Sequence, residues 1–480
     1  MNFFMEKDRT TPKQELPPLV AMFPTPGMGH LIPMVEFAKR LSKHNLPITF
    51  IIPNDGPPSK AQTTVLTSLP HGISHVFLPP ITLSDLPPNT KPETLMTATT
   101  VRSLPSLHQT LLSLMTSHRL SALIVDLFGT DVFDMAAELD IPSYLYFPTN
   151  ANNLSFAFYF PQLAQRVQGE FRDIPEPLNI PGCFAFHGKD LADPVQDRND
   201  EAYKCFLHHV TRYKLAKGII ENSFLELEPE AITFLKKNEP PVYPVGPLVN
   251  EDSINNGSEF DVCFQWLDEQ PRGSVIFVNF GSEGILTSAQ TDEIAYGLEM
   301  SEQRFLWVLR CPKDKVENDS NFIANSNVDP FEFLPNGYIE RTKGKGLVLP
   351  YWAPQAQVLS HISIGGFVSH CGWNSTLESV VNGVPLIAWP LYAEQKMNAV
   401  LLSENVKVAI RPKVGENGLV QREEIASVVK RLMVGEEEQK IRYRMKDLKE
   451  AAINALKENG SSTKQICELA LKWKGVTIPN

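Results

Sequence analysis

Apolar and polar positions along the chain alternate in a way that predicts strands and helices in turn. Short, almost wholly apolar runs indicate buried strands, and longer stretches with apolar residues three or four apart indicate amphipathic helices. The first half of the chain has such strands at 19–23, 48–52, 121–126, 144–147 and 218–222, and such helices at 31–44 and 131–139. Strands that alternate with helices are typical of parallel sheets covered on both faces, so the pattern predicts an α/β fold.

A polar stretch then divides the chain. Residues 249–261 contain almost no apolar side chains and many Asn, Asp, Glu and Ser, which is the composition of a linker. After them the alternation resumes, with strands predicted at 275–280, 304–310, 347–351, 366–369 and 385–389 and helices at 289–300 and 375–381. We therefore predict two parallel-sheet domains, over 17–248 and 262–459, after a disordered polar tail over 1–16.

Three other segments fall outside this alternation. Residues 161–198 are rich in Pro and turn-forming residues, so we expect an excursion over the edge of the first sheet. Residues 312–329 are polar and predict a mobile loop. Residues 460–480 predict a C-terminal helix, for which packing back on the first domain is one open arrangement.

Composition leaves this picture intact and excludes several classes of function. The 480 residues carry 42% hydrophobic and 21% charged side chains, as an ordinary globular protein does. A net charge of −11 repels nucleic acid and acidic membrane surfaces, so we expect neither as a partner. The six cysteines are scattered, with no CxxC pair, and neither a signal peptide nor a long apolar run is present. These features predict reduced thiols, a cytoplasmic location and no insertion into a membrane.

A glycine-rich turn follows the first strand directly and opens a helix. Gly27 and Gly29 permit a tight turn at the carboxyl edge of the sheet, where such folds bind ligands. One interpretation is a dinucleotide fingerprint, although its third glycine would fall on the bulky Ile32. A second takes His30 as a general base, because the dipole at a helix N-terminus lowers the pKa of an imidazole. A third takes His30 as a helix cap without chemistry.

An aspartate ends a neighbouring strand and bears on these alternatives. The apolar strand 121–126 delivers Asp126 to the same edge as His30, so the two side chains can form a dyad. The carboxylate would then fix the imidazole tautomer and stabilise the imidazolium that forms when the other nitrogen takes a proton. Alternatively, Asp126 caps the turn at 128–130.

The second domain repeats the arrangement of strand, glycine turn and helix start. The turn after strand 275–280 exposes backbone amides near Ser282, and the segment 366–375 ends at a helix N-terminus, which is a ready site for an anion. Glu378 lies one turn further along that helix and can accept hydrogen bonds from sugar hydroxyls, while Trp352 offers a flat face for a base. Each of these residues also has an ordinary interpretation as a cap, a core residue or a solvated carboxylate.

Two phosphate-binding motifs are missing from the sequence. No two aspartates stand in a DxD arrangement, which would hold a divalent cation on a diphosphate, and no GxxxxGK[ST] motif is present. We therefore expect no metal site, and we expect amides, hydroxyls and imidazole to neutralise a bound phosphate.

Residues 352–395 resemble, almost position for position, the signature box of the plant secondary-product UDP-glycosyltransferases. The segment PTPGMGHLIPMVEFAKRL, which begins at Pro24, is also similar to that family, and the resemblance extends over roughly residues 17–475. The group that glucosylates hydroquinone, monolignols and related small phenols or anilines is the most similar. The resemblance implies a GT-B fold of two facing Rossmann-like domains and an inverting reaction with UDP-glucose as co-substrate and no cofactor.

The resemblance also implies a role for individual residues. His30 would be the base and Asp126 its partner. Around the nucleoside, uracil would stack on Trp352, its edge would be held by Ala353 and Gln355, and the ribose would bind Glu378. The diphosphate would be bound by Ser282, His370, Asn374 and Ser375, and Gly29 would also contact the UDP-sugar. The hexose would be bound by Trp373, Glu394 and Gln395, and a terminal Gln in this box fits glucose better than galactose.

Two positions depart from the pattern of the family. Glu283 stands where close relatives often have Gly, and two interpretations are open: an anion near the diphosphate, or a carboxylate that points to solvent. Relatives often have two threonines where this chain has Thr149 followed by Asn150, so the hydroxyl expected at the transferred sugar is either that of Thr149 or missing.

We therefore predict transfer of glucose from UDP-glucose to a hydroxyl or amine of a small aromatic acceptor, giving a β-glucoside and UDP. An apolar acceptor wall is expected from Phe128, Phe156 and Phe206, with Glu93 at the pocket. Two alternatives stay open at this point. They are a nucleotide-sugar-binding protein without catalysis and a nicotinamide-dependent oxidoreductase.

Overall fold

The computed structural model describes residues 16–250, 261–315, 329–350 and 352–476. The predicted tail over 1–16 falls almost wholly outside these ranges, as do most of the linker over 249–261 and of the loop over 312–329.

The first domain is built on a sheet of seven strands. These are β1 (Pro18–Phe23), β2 (Ile48–Ile52), β3 (Ile73–Phe77), β4 (Arg119–Asp126), β5 (Ser143–Phe147), β6 (Ile219–Glu221) and β7 (Val242–Pro244). They run parallel in the order β3-β2-β1-β4-β5-β6-β7. The strand order reverses between β1 and β4, and ligands bind at such a switch point in open α/β sheets.

The second domain carries a sheet of six strands. These are β8 (Val275–Asn279), β9 (Arg304–Leu309), β10 (Gly346–Pro350), β11 (Ile364–Ser369), β12 (Leu386–Ala388) and β13 (Ala409–Ile410). They too are parallel, in the order β10-β9-β8-β11-β12-β13. Here the order reverses between β8 and β11, so each domain has one switch point, as expected of the predicted α/β class.

Helices cover both faces of each sheet. In the first domain they are α1 (Met28–Ser42), α2 (Lys60–Thr67), α3 (Pro92–Met115), α4 (Val132–Glu138), α5 (Ala151–Arg166), α6 (Glu201–Arg212) and α7 (Pro229–Leu235). From there to the C-terminus they are α8 (Asp261–Asp268), α9 (Ser288–Ser301), α10 (Tyr338–Thr342), α11 (Gln355–Ser360), α12 (Trp373–Asn382), α13 (Gln395–Val400), α14 (Arg422–Val434), α15 (Glu436–Ala455) and α16 (Ser461–Lys474). No helix in the described ranges has both the length and the apolar character needed to span a bilayer.

The segment 161–198 is less irregular at its start than its composition predicts. Helix α5 continues through Pro161 to Arg166, and only then do short 3₁₀ turns follow, at Phe171–Asp173, Gly188–Asp190 and Asp193–Val195. Two carboxylates of this excursion reach the second domain, where Asp190 pairs with Arg411 and Asp193 with Lys396.

Burial on both faces explains why the central strands are almost wholly apolar. In β1, Leu19, Ala21 and Phe23 pack into one core, and Val20 and Met22 into the core on the opposite face. Because successive side chains of a strand point to opposite faces, a strand covered on both sides needs apolar residues at every position.

Helix α16 follows the second domain in sequence but packs against the first sheet. Its Trp473 is 2% exposed and meets Tyr144 of β5 edge to face, with ring centroids 5.1 Å apart. At the start of the helix, the Ser462 hydroxyl donates to the carbonyl of Gly246 over 2.5 Å.

Candidate active site

The two switch points face each other across the boundary between the domains. His30 follows β1 and Asp126 ends β4, so both lie at the first switch point. Ser282 and residues 370–375 lie at the second; we call residues 370–375 the donor turn because the resemblance implies that they bind the glucose donor. The two edges are in direct contact, because the Asn374 amide donates to the carbonyl of Gly29 over 3.0 Å. A ligand bound at one edge therefore lies beside the other.

His30 and Asp126 form a closely paired dyad. Nδ1 of His30 lies 2.9 Å from Oδ2 and 3.1 Å from Oδ1 of Asp126, a carboxylate that is fully buried. Asp126 also accepts a hydrogen bond from the Thr25 hydroxyl (2.7 Å) and one from the backbone amide of Phe128 (3.4 Å). Because an ionised carboxylate can only accept, Nδ1 carries the proton and Nε2 is left free to accept one.

The direction of the His30 pKa corrects the expectation from the helix dipole. Burial lowers the pKa of His30, but the charge and the hydrogen bond of Asp126 outweigh it, and the negative charges of Glu394 and Glu283 act in the same direction. The pKa of His30 is therefore raised rather than lowered. The cap interpretation is also wrong, since α1 begins at Met28, after Gly27 as its N-cap, and the side chain of His30 bonds to Asp126.

His370 occupies a space that two glycines keep open in the donor turn. A Cβ added at Gly281 would lie 2.6 Å from a ring carbon of His370, and one at Gly372 would lie 2.5 Å from its Nε2. Burial, helped by the positive charge of Arg310, lowers the pKa of His370 to about 4, so the ring is neutral near pH 7. Its Nδ1 is buried and has no hydrogen-bond partner in the described part of the chain, which leaves it available to a ligand.

The residues expected around the nucleoside lie together beside the start of α12. The Gln355 amide donates to Oε2 of Glu378 (2.6 Å) and to the Ser375 hydroxyl (2.8 Å), while its oxygen accepts from Asn279. Burial raises the pKa of Glu378 to about 7. Trp352 is 43% exposed, whereas Ala353 is buried.

The residues expected around the hexose differ in which of their groups are left available to a ligand. Oε1 of Glu394 accepts hydrogen bonds from the Thr149 hydroxyl (3.3 Å) and from the Asn398 amide (3.1 Å). The side-chain oxygen of Gln395 accepts from two backbone amides of its own loop, those of residues 391 and 392. The indole of Trp373 is buried and donates to the carbonyl of Asn222 over 2.7 Å, so only its backbone is left for a ligand.

The expected acceptor residues divide into two groups. Phe128 lies beside the dyad, with its ring centroid 6.4 Å from that of His30. Phe156 and Phe206 instead stack on each other, and Phe156 is 1% exposed, which makes it chiefly a core residue. Oε2 of Glu93 is buried without a hydrogen-bond partner among the residues described, and burial raises the pKa of this carboxyl.

Sequence reasoning missed a basic residue at the second switch point. Arg310 follows β9 directly and donates to the backbone carbonyl of Ser282. Burial lowers the pKa of its guanidinium, and the nearby Tyr392 hydroxyl and the negative charge of Glu283 oppose that shift. The signal was present in the sequence, because β9 is the neighbour of β8 and both end at the same edge.

Within the described ranges, one group of three residues has the donor atoms for a metal ion. Ligand atoms of Asp131, His208 and His209 lie within 4.8 Å of one another. Both ring nitrogens of His209 are already bonded, to the hydroxyls of Thr97 (2.9 Å) and Thr130 (2.7 Å). These two hydrogen bonds are sufficient to explain the position of the His209 ring.

Comparison with known proteins decides the family. Residues 263–440 match the profile of the family described as UDP-glucoronosyl and UDP-glucosyl transferase. The chain is 56% identical to a hydroquinone glucosyltransferase of Rauvolfia serpentina, over 95% of this chain and 98% of that protein. It is 57% identical to UDP-glycosyltransferase 72B1 of Arabidopsis thaliana, over 95% and 96%. The chain belongs to the UDP-glycosyltransferase family.

Solved structures of UDP-glycosyltransferases share the fold over nearly the whole chain. A Polygonum tinctorium UDP-glucosyltransferase superposes with a TM-score of 0.89 at 51% identity, covering 95% of this chain and 99% of that one. UGT2 of Phytolacca americana, in complex with UDP-2-fluoro-glucose and pterostilbene, gives 0.86 at 49% identity over the same shares. The protein is thus a UDP-glycosyltransferase with a GT-B fold, as the resemblance implies. Its donor substrate is a UDP-sugar, which excludes the nicotinamide interpretation of Gly27 and Gly29.

Proposed function

We propose that this UDP-glycosyltransferase transfers glucose from UDP-glucose to a hydroxyl or amine of a small aromatic acceptor, with inversion and without a metal ion. The His30–Asp126 dyad carries the proposal. Its free Nε2 lies at the edge of the acceptor domain that the donor turn touches.

The names of the relatives support the choice of substrates. The Rauvolfia protein is called a hydroquinone glucosyltransferase, and the Polygonum enzyme is described as glucosylating indoxyl and is seen with 3,4-dichloroaniline. The Phytolacca complex holds a fluorinated UDP-glucose and pterostilbene. Glucose, and an acceptor with a planar ring bearing a hydroxyl or an amine, are common to this set.

In the proposed reaction, Nε2 of His30 takes the proton of the acceptor hydroxyl as the oxygen attacks the anomeric carbon of glucose. The bond from that carbon to the diphosphate breaks, and UDP leaves with the electron pair. Attack opposite the leaving group converts the α-linked donor into a β-glucoside. Asp126 stabilises the imidazolium that forms, in the manner of an acid–base triad.

The donor turn is proposed to stabilise the charge of the departing diphosphate. The backbone amides at the start of α12, with Gly29 close by, face the phosphates along with the side chains of Ser282, His370, Asn374 and Ser375. Arg310 contributes a full positive charge at the same edge, and Glu283 offsets part of it. We propose that this set replaces a divalent cation.

The remaining proposed roles follow once the diphosphate of UDP-glucose is placed against the donor turn. Trp352 stacks on uracil, Ala353 and Gln355 hold its edge, and Glu378 accepts hydrogen bonds from the ribose hydroxyls. The hexose hydroxyls are bound by Glu394, Gln395, Thr149 and the backbone of Trp373. Phe128 and Glu93 border the acceptor, with Phe156 and Phe206 packed behind them.

Two wider features belong to the same proposal. The segment 249–261 joins an acceptor domain (17–248) to a donor domain (262–459), and the helix within 460–480 returns to the acceptor domain. None of the six cysteines, all of which the structure describes, forms a disulfide, which suits a reducing compartment such as the cytoplasm.

A turnover assay tests the proposal. UDP-glucose is paired with a panel of small phenols, an aniline and indoxyl in the presence of EDTA, and glucoside is followed by mass. We expect β-glucoside with at least one phenol at a rate that EDTA does not change. Absence of product from every acceptor, with UDP-glucose binding intact, would favour a protein that binds UDP-glucose without catalysis. Activity that is present without EDTA and lost when EDTA is added would overturn the metal-free mechanism.

A further inference from the structure

A single buried asparagine joins the donor site to the acceptor domain. The amide nitrogen of Asn398 donates to the carbonyl of Cys371 (2.9 Å) and to Oε1 of Glu394 (3.1 Å). Its oxygen accepts from the side-chain amides of Asn150 (2.6 Å) and Asn153 (2.9 Å), which lie in the acceptor domain. Asn398 is fully buried, and all four of its hydrogen-bonding positions are used.

The direction of every bond at Asn398 is fixed by its partners. A backbone carbonyl and an ionised carboxylate can only accept, so the nitrogen of Asn398 has to face Cys371 and Glu394. Its oxygen then faces Asn150 and Asn153, which have to present their own nitrogens. Turning over the amide of Asn398 or of Asn150 would place donor against donor or acceptor against acceptor.

Local geometry explains why these side chains meet. Glu394 immediately precedes α13, and Asn398 lies one turn further along, where its backbone amide donates to the carbonyl of Glu394 (3.1 Å). On the other side, Asn150 caps α5 by accepting from the amide of Asn153 (2.8 Å). The N-terminal ends of two helices, one from each domain, are thus linked through Asn398.

The link also determines which oxygen of Glu394 is open to a ligand. Asn153 donates to the Thr149 hydroxyl (3.1 Å), so Thr149 uses its own proton for Oε1 of Glu394. That oxygen therefore receives two bonds, from Thr149 and Asn398. Oε2 makes none within the described residues and is free to accept from a sugar hydroxyl.

We propose that Asn398 is a positioning residue for sugar transfer, which aligns the hexose-binding carboxylate of Glu394 and the donor turn at Cys371 with the acceptor domain. The inference rests on the proposed role of Glu394 as a hexose ligand. It predicts that damage to this link impairs recognition and transfer of the sugar more than recognition of UDP.

Asn398→Asp is the sharpest variant, because it keeps the size and the acceptor of the side chain and removes its donor. The second carboxylate oxygen would face two acceptors, so Glu394 and the donor turn have to move. We expect kcat to fall about 100-fold, as for a small misplacement of reacting groups. Affinity measured by calorimetry should fall for both ligands, and at least tenfold more for UDP-glucose than for UDP, because Glu394 faces only the sugar.

Gln290→Glu is the matched control. Gln290 is also a buried amide of the donor domain, but it bonds to the backbone of Val420 on both sides, away from the donor turn. The control suffers the same chemical change, so it should lose comparable stability and keep the wild-type kcat and the wild-type preference for UDP-glucose.

A milder variant, Asn150→Ser, tests the positioning role of Asn398 if Asn398→Asp does not fold. Asn150→Ser preserves an oxygen that can cap α5 and removes only the bond to Asn398. We expect about a tenfold fall in kcat, with the affinity for UDP unchanged. Wild-type kinetics in this variant, and in Asn398→Asp where it folds, would overturn the inference.

Glu394→Ala separates the inference from the proposed function. If both Glu394→Ala and Asn398→Asp bind UDP-glucose and turn it over as the wild type does, the proposed hexose site is wrong, and the inference fails with it. If Glu394→Ala loses sugar recognition and the two asparagine variants do not, the hexose site stands and only the role of Asn398 is overturned.

Discussion

At the scale of single residues, the proposed mechanism depends on the opposing effects of burial and of Asp126 on the imidazole of His30. Burial favours neutral His30, while the adjacent Asp126 favours the protonated ring and raises its pKa. A raised pKa makes His30 a stronger base, at the cost of leaving more of it protonated in acid. Activity therefore requires a pH above the pKa of His30 and is lost as the pH falls through it.

Asp126→Asn tests this balance through the pH profile of kcat/KM. Without the carboxylate the pKa of His30 falls, so the acid limb of the profile should move to lower pH. The plateau should drop by about 100-fold or more, because the tautomer is no longer fixed and the imidazolium no longer stabilised. Asp134→Asn, at an exposed aspartate that pairs with Arg212, is the control and should leave the profile unchanged. An acid limb that stays in place in Asp126→Asn would show that Asp126 does not set the pKa of the base.

Residues at strand ends could be placed from the sequence, and residues whose role depends on distant partners could not. His30 and Asp126 each follow an unmistakable strand, so their common edge is predictable although they are 96 residues apart. Asn398 carries no such signal, because its partners Asn150 and Asn153 belong to the other domain and are about 250 residues away. The raised pKa of His30 could not be predicted from the sequence either, because it depends on the distance between His30 and Asp126.

At the scale of elements, the donor site depends on how closely two turns approach the ring of His370. Gly281 follows β8 with φ at +77°, and Gly372 precedes α12. Cys371 between His370 and Gly372 also has a positive φ, +64°, which costs roughly 1–3 kcal/mol in a residue other than glycine. Such strain persists only where the surroundings enforce it, here including the bond from Asn398 to the Cys371 carbonyl.

Gly281→Ala should reduce the affinity for UDP more than tenfold, because the new Cβ would meet the His370 ring at 2.6 Å and displace it from the donor turn. Gly273→Ala is a matched control: its φ is +64°, but no atom lies within 4 Å of its added Cβ. Both variants should lose about 1–2 kcal/mol of stability, because alanine is strained at a positive φ. Only Gly281→Ala should lose UDP affinity when binding is measured by calorimetry. Equal losses of affinity would mean that the space for His370 is not what the glycine provides.

The elements that the sequence predicts well are those buried on both faces. Strands β1, β2, β4, β8 and β11 are buried along almost their whole length and are largely apolar, so their positions follow from the pattern within a few residues. Strand β3 gives little signal, since it lies at the sheet edge with only Ile73 buried. Helix α5 contains Pro161, which in the sequence indicates the start of a loop. The helix nevertheless continues to Arg166, because its apolar residues pack in the core.

At the scale of the whole molecule, the two domains are joined by polar bonds around the active site and by an apolar helix away from it. Asn374, Trp373 and Glu394 each bond across the boundary at the site. Helix α16 buries its apolar face on the first sheet, so the end of the chain stabilises the acceptor domain.

Trp473→Ala should therefore lower the free energy of unfolding by about 3–5 kcal/mol in a urea titration, as expected for a large aromatic side chain removed from a core. UDP affinity should stay close to the wild-type value at low urea, because the donor turn belongs to the other domain. Val476→Ala, at a half-exposed position two residues beyond α16, should change stability by less than about 0.5 kcal/mol. A Trp473→Ala protein as stable as the wild type would show that the helix is not part of the acceptor core.

The most direct test of the mechanism compares wild-type protein with His30→Ala, using UDP-glucose and the best phenol of the panel, with UDP affinity measured in parallel. If Nε2 of His30 takes the acceptor proton, the rate of glucoside formation falls by about 100- to 10,000-fold while UDP binds as before. Turnover within a few fold of wild type, with UDP binding intact, would contradict the assignment of His30 as the base.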